Sequence, residues 1–159
     1  MKDLSKSDRE LCSLQARIFE ASLNLSKSSS GVFIRRYMKS DVAKRLDTGG
    51  FLFEATSVED AIAEVEEAYC GKQYGTEKYT REEMHWMGYF YRCWCCLTGD
   101  SSRTAYSTIG ARELRGLYYP YHSLDIRQAV ERVMEAKGLL GQSQIERGVA
   151  LLKKFRGLA

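Results

Sequence analysis

The sequence contains little proline, little histidine and few β-branched residues, and each scarcity narrows what the protein can be. A single proline among 159 residues, with Val and Ile spread thinly among Ala, Leu, Glu, Lys and Arg, favours helix over sheet. The only histidines are His85 and His122, and no serine or cysteine lies in a G-x-S-x-G turn. Nucleophilic catalysis therefore has little support. The predicted fold, from the composition, is all-α or mainly α.

Long apolar runs and glycine-rich phosphate loops are missing as well. No stretch is long enough to span a bilayer, and the first ten residues, MKDLSKSDRE, are polar and lack the apolar core of a signal peptide. No P-loop or dinucleotide-binding glycine pattern occurs. Five cysteines, three of them on one helix that should be buried, fit a reducing compartment better than a disulfide framework. The expectation is a cytoplasmic protein with no cofactor and no membrane partner.

The cysteines raise one further question, because Cys93 and Cys96 form a C-x-x-C pattern with His85 two turns upstream. Such a pair serves metal binding or thiol redox chemistry when it lies on a knuckle or at a helix N-terminus. Here it lies near the C-terminal end of an apolar helix, where the helix dipole disfavours a thiolate. Core filling is the favoured interpretation, and no metal site is predicted.

The chain is organised around residues 80–97, TREEMHWMGYFYRCWCCL, which are typical of a central core helix. Thr80 with Glu83 makes a capping box that fixes where the helix begins. Aromatic residues follow at four-residue spacing, and most of the other positions are also apolar, so the helix must be covered on most sides. The aromatic residues at this spacing are Trp86, Phe90 and Trp94.

Helical spacing and capping residues place further helices on both sides of this one. The chain has 44% hydrophobic residues, enough for the core of a single domain. The prediction is one helical domain over 1–159 with six or seven helices. Its first helix and the following loop, in 1–30, could be peripheral. The serine-rich stretch 26–31 is predicted as a flexible loop, and 30–46 as one helix or two divided at Ser40. Only FLFEA at 51–55 alternates like a short strand or extended plug.

Charge is distributed unevenly although the net charge is only +3. The helix predicted to follow Ser57 carries acidic residues on one face, with no basic residue in the helix to offset their repulsion. Such a face is either simply solvated or a docking surface for a basic partner. The residues proposed for that contact are Glu59, Glu66 and Glu67.

A second candidate surface is the string RELRGLYYPYHSLD, in which aromatic residues flank the single proline. Rigid amphipathic rings bury area at low entropy cost, so they could line a pocket or an interaction hot spot. The alternative is a helix end whose tyrosines pack locally. The residues concerned are Tyr118, Tyr119, Tyr121 and His122. A more remote hypothesis is a small enzyme that uses Glu113 with His122.

Residues 98–119 also fit a helix-turn-helix loosely, which makes nucleic-acid binding the main alternative function. In that hypothesis Arg112 and Arg115 lie on the recognition helix, and the basic tail adds Lys153 and Lys154. The five-residue gap from Ala105 to Gly110 is longer than the alanine-to-glycine spacing of the usual motif. A homodimer in which the acidic helix after Ser57 meets basic residues of a second copy is also compatible with the sequence.

Four strings carry a resemblance to a known group: SSGVFIRRYMKSDVAKRLD, GFLFEATS, YGTEKYTREEMHWMGYFYRCWC and YYPYHSLD. They resemble small uncharacterised bacterial proteins that look like antitoxin-type companions of ADP-ribosyltransferase-like toxins. The likeness covers residues 29–134 and supplies no catalytic residue. It implies a non-enzymatic protein that masks a cognate toxin, which is the function predicted from the sequence.

Overall fold

Eight α-helices account for the regular structure of residues 3–49 and 57–139, the part of the chain that the computed structural model describes. The all-α prediction is confirmed, and the described residues alone contain eight helices where six or seven were expected. Ser40 divides residues 30–46 into two helices, because its hydroxyl accepts a hydrogen bond from the Ala43 amide at 3.2 Å. The helices are α1 Lys6–Leu25, α2 Ser30–Met38, α3 Asp41–Asp47, α4 Val58–Glu67, α5 Arg81–Thr98, α6 Ser102–Thr108, α7 Ala111–Tyr121 and α8 Ile126–Ala136.

The helix α5 is the centre of the fold, as the sequence predicted. Its capping box forms with Thr80 as N-cap and Glu83 as the reciprocal partner, and Gly99 ends the helix with φ 80°. Eleven of its 18 residues are buried. Apolar residues on nearly every face of α5 are therefore covered by the surrounding helices, in one compact domain.

The first helix is the main packing partner of α5 and is not peripheral. The two helices approach closely at Gly88, whose missing side chain leaves room for the α1 backbone. A Cβ atom there would lie 2.8 Å from the Gln15 carbonyl oxygen and 2.9 Å from the Ala16 Cα. Gln15 also donates from Nε2 to the Gly88 carbonyl at 2.9 Å. The close approach therefore depends on glycine at this position.

Replacing Gly88 with alanine is expected to destabilise the protein by about 1–3 kcal/mol, because the added methyl group overlaps backbone atoms that cannot move independently. Helix propensity alone predicts that the substitution stabilises the protein, since alanine is favoured over glycine in a helix by about 1 kcal/mol. Gly116→Ala is the matched control, because Gly116 lies inside α7 and a methyl group added there would have nothing within 4 Å. Urea denaturation should show opposite signs for the two variants, and equal stabilisation would contradict the close approach.

The serine-rich stretch predicted to be flexible is instead held by the segment that precedes α5. Ser29 and Ser30 donate their amides to the carbonyls of Tyr74 and Glu77 at 2.8 and 2.9 Å, and Ser28 and Ser30 are buried. Lys78 donates to the carbonyls of Ser26 and Ser28 at 2.6 and 2.8 Å. The prediction of a flexible loop is wrong because these serines find partners in residues 74–79, far along the chain.

Two predicted features lie outside the described residues: the extended piece at 51–55 and the basic tail with Lys153 and Lys154. Within residues 3–49 and 57–139, no helix has both the length and the hydropathy that a membrane crossing requires.

Candidate partner-binding surface

A cleft of about 430 Å³ opens where the C-terminal end of α7 and the start of α8 meet the first turns of α5. We call it the aromatic cleft. Its lining combines aromatic and aliphatic side chains with a charged rim, the composition expected of a binding site. The lining residues are Glu20, Arg81, Glu82, His85, Trp86, Tyr89, Tyr118, His122, Leu124 and Ile126.

Tyr118 connects the surface of the aromatic cleft to the core. Its ring meets Trp86 edge to face with centroids 5.7 Å apart, and stacks on His122 at 4.6 Å. The His122 Nδ1 atom lies 3.0 Å from the carbonyl oxygens of Tyr118 and Tyr119, an arrangement in which the ring nitrogen donates. The histidine ring is therefore fixed on the end of α7 and forms one wall of the cleft.

The tyrosines of this region have separate roles. Tyr118 and His122 line the cleft, whereas Tyr121 is half-buried and packs against the core. Tyr119 is the most exposed large hydrophobic side chain among the described residues, at 85%. The predicted local packing therefore accounts for Tyr121 and for part of the Tyr118 ring, and Tyr119 projects from the surface beside the cleft.

Trp86 contributes a buried donor with no partner. The residue lines the cleft and is 8% exposed, and its indole Nε1 is buried without a hydrogen-bond partner. An unsatisfied buried donor costs about 1–3 kcal/mol. A buried donor without a partner calls for an explanation, and an acceptor group supplied by a partner in the aromatic cleft would provide one for Trp86.

The charged rim combines residues of α5 with Glu20 of α1, a helix that the sequence analysis did not connect to this site. Arg81 donates to the Glu20 carboxylate, and His85 Nδ1 lies 3.3 Å from the same group. The bond from Arg81 holds the pKa of Glu20 below its usual value, with a smaller contribution from His85. Glu20 is 61 positions from Arg81, and no local sequence pattern marks the pair.

A second depression, of about 630 Å³, continues this surface toward α4. It shares Glu20 and Arg81 with the aromatic cleft, and its far side includes Val58 and Glu59. The structure thus brings Glu59, Tyr118 and His122 onto one continuous face. We refer to the two depressions together with Tyr119 as the extended face.

The other acidic candidates lie apart from the extended face. Glu66 accepts a hydrogen bond from the Ser26 hydroxyl at 2.9 Å, and Glu67 is exposed without lining either depression. The helix α4 itself carries no basic residue, as the sequence shows, but a neighbouring helix offsets part of its acidic charge. Arg45 of α3 donates to both carboxylate oxygens of Glu64, at 3.0 and 2.9 Å. A partner therefore meets less free acidic charge on α4 than the sequence suggested.

The arginines of the helix-turn-helix hypothesis are in different situations. Arg115 lies between two carboxylates, 3.2 Å from Glu83 and 3.4 Å from Glu77, with its guanidinium 4.2 Å above the Tyr79 ring. Arg112 is exposed. A guanidinium held by two carboxylates is poorly placed to neutralise a phosphate, so α7 presents one available arginine where the hypothesis required two.

The enzyme and metal hypotheses gain no support from the geometry. Glu113 accepts hydrogen bonds from the Lys137 amine at 3.2 Å, and no hydrogen bond between described residues joins it to His122. In the C-x-x-C pair, a hydrogen bond with Cys12 and burial raise the pKa of the Cys96 thiol well above its usual value. No group of three His, Cys, Asp or Glu side chains in residues 3–49 and 57–139 is arranged to hold a metal ion.

Comparison of the chain with the profiles of known protein families, with curated protein sequences and with solved structures gave no match. The fold and the two depressions define a helical protein with an extended concave face and an exposed aromatic side chain beside it.

Proposed function

We propose that the protein is a non-enzymatic, cytoplasmic, antitoxin-like protein that binds and masks a cognate toxin through the extended face. The observation that carries the proposal is the combination of the aromatic cleft with the exposed Tyr119 ring beside it. A protruding tyrosine next to a concave apolar site is the arrangement found at interaction hot spots. The antitoxin character rests on the sequence resemblance, and the contact surface rests on the geometry.

Two further features support a protein partner. The extended face runs across α1, α4, α5 and the turn between α7 and α8, so it offers contacts over several elements. Its central charges, Glu20 and Arg81, are already paired with each other, so a partner need not desolvate either one alone. Binding of a partner is thus expected to depend less on opposite charges than on the aromatic side chains.

The first experiment is co-purification of the tagged protein with the products of its genomic neighbours at physiological salt. A stoichiometric neighbour that is toxic when expressed alone is the expected result. Recovery of the protein alone, or of a homodimer alone in light scattering, would contradict masking. Recovery with DNA that is lost in high salt would favour the nucleic-acid alternative instead.

Within such a complex, Tyr119→Ala is expected to weaken binding by about 2 kcal/mol, roughly 30-fold, because hot-spot aromatics contribute on that scale. The substitution should leave the melting temperature almost unchanged, since the ring is exposed. Leu25→Ala is the matched control, because it removes another exposed apolar side chain, 47% exposed, that lines neither depression. Calorimetric titration that shows equal affinity for both variants would remove Tyr119 from the interface.

A further inference from the structure

A separate cavity of about 310 Å³ lies where α2, α3 and α6 meet. It shares no lining residue with the aromatic cleft. Three cationic side chains line it: Lys39 at the end of α2, Lys44 on α3 and Arg103 on α6. We call it the basic cavity.

Two of these cations are held in place by contacts of their own. The Arg103 guanidinium donates from one Nη to the Lys39 carbonyl at 3.1 Å, which ties α6 to the end of α2. The Lys39 amine lies 5.9 Å from the centre of the Tyr106 ring. The remaining donors of Arg103 make no hydrogen bond to another described residue. The basic cavity therefore presents donors that are already positioned, which lowers the entropic cost of binding an anion.

The charge in the basic cavity is not balanced by the residues around it. Within residues 3–49 and 57–139, no carboxylate lies within ion-pair distance of Lys39, Lys44 or Arg103. Asp41 and Asp47 also line the cavity. Asp47, however, is already bonded to a buried cation, with its Oδ1 atom 2.7 Å from the Arg92 guanidinium.

Only Asp41 remains to offset three positive charges. The three cations are exposed, so solvent screens part of their mutual repulsion, and a bound anion would relieve the remainder. The neighbouring Arg45 shows the contrasting situation on the same helix, because its charge is matched by Glu64.

From this arrangement we propose that the basic cavity is a binding site for a phosphate group. A phosphate offers several acceptor oxygens and up to two negative charges, which suits an arginine fork flanked by two lysines better than a single carboxylate does. The cavity has room for a group attached to the phosphate. The ligand is a small phosphorylated compound or the backbone of a nucleic acid, and both present the same chemistry.

The test is calorimetric titration of the full chain with inorganic pyrophosphate and, separately, with a short single-stranded oligonucleotide at fixed ionic strength. Saturable binding is expected for at least one probe. Lys44→Gln and Arg103→Gln should each weaken it roughly tenfold, the effect of one charge-assisted hydrogen bond. Arg45→Gln removes the same charge one residue from Lys44 and should leave the affinity within about twofold, because that arginine is bonded to Glu64.

The two probes distinguish the two sources of phosphate. Tighter binding of pyrophosphate would indicate a small phosphorylated ligand, and tighter binding of the oligonucleotide would indicate a nucleic-acid backbone. Absence of saturable binding, or an equal loss of affinity in Arg45→Gln, would overturn the proposal, since the effect would then depend on net charge alone. Tyr119→Ala should bind both probes as the unmodified protein does, so this outcome is independent of the partner-binding proposal.

Discussion

Replacing Arg92 with leucine is expected to lower the free energy of unfolding by about 3–5 kcal/mol, the cost of removing one partner from a buried ion pair. The side chain of Arg92 is 1% exposed, although it lies on the apolar helix α5. Its guanidinium donates to Asp47 Oδ1 at 2.7 Å and to the Ser102 hydroxyl at 2.9 Å. It also donates twice to Gln15 Oε1, at 3.0 and 2.8 Å. One side chain thus joins α1, α3, α5 and α6.

The loss follows from what the substitution leaves behind. The Asp47 side chain is 15% exposed, so without Arg92 its charge would be largely desolvated, with hydrogen bonds from Ser102 but no cation of the described residues within ion-pair distance. Gln15 Oε1 would keep only the hydroxyl of Tyr37, at 2.9 Å. Both groups would incur a desolvation penalty that the leucine side chain cannot offset.

Chemical denaturation of Arg92→Leu measures this effect. Arg81→Gln is the matched control, since it removes an exposed arginine from the same helix, and its stability should be almost unchanged. The double variant Arg92→Leu, Asp47→Asn should lose less than the sum of the single losses, because the uncompensated carboxylate is absent. A loss for Arg92→Leu no larger than that of the control would show that the buried network contributes nothing to stability.

Trp94→Ala is expected to destabilise the protein by about 3–5 kcal/mol, the range for deleting a buried large aromatic side chain. Trp94 is fully buried and is the largest such side chain among the described residues. Its ring lies 6.2 Å from that of Phe90, and its indole Nε1 donates to Asp100 at 3.0 Å. The substitution leaves a cavity where α5 packs against its neighbours and removes the bond that fixes the turn before α6.

Trp94→Phe separates these two contributions, because it keeps an aromatic ring and loses the hydrogen bond to Asp100. Its cost should be well below that of Trp94→Ala, and Tyr119→Ala should be near neutral as an exposed aromatic comparison. Thermal and urea unfolding of the three variants ranks them by their loss of stability. A near-neutral Trp94→Ala would refute the assignment of α5 as the central helix.

Part of the candidate site could be predicted from the sequence. The string 118–122 drew attention because aromatic residues around a proline are noticeable in the sequence itself, and two of its residues line the aromatic cleft. It could not show that Tyr118 and His122 line a cleft while Tyr121 packs inward, since that depends on where α7 meets Trp86. The acidic candidates were separated in the same way: Glu59 joins the extended face, and Glu66 and Glu67 do not.

The basic cavity shows the same division. In the sequence, Lys39, Lys44 and Arg45 lie close together in one basic stretch. Only the structure shows that Arg45 is matched by Glu64 while Arg103, from a helix far along the chain, joins the two lysines. Charge counted along the sequence and charge that is available in the folded protein are different quantities.

By itself the sequence determined the all-α class, the central position of α5 and the residue at which it begins. Capping and helical periodicity act between residues three or four positions apart, so their signals are contained in short stretches such as Thr80 to Glu83. The tertiary structure alone decided which polar groups meet, as with Gln15 and Arg92, 77 positions apart. These contacts require α1 to lie against α5 at Gly88, and such an approach is set by the packing of the whole domain.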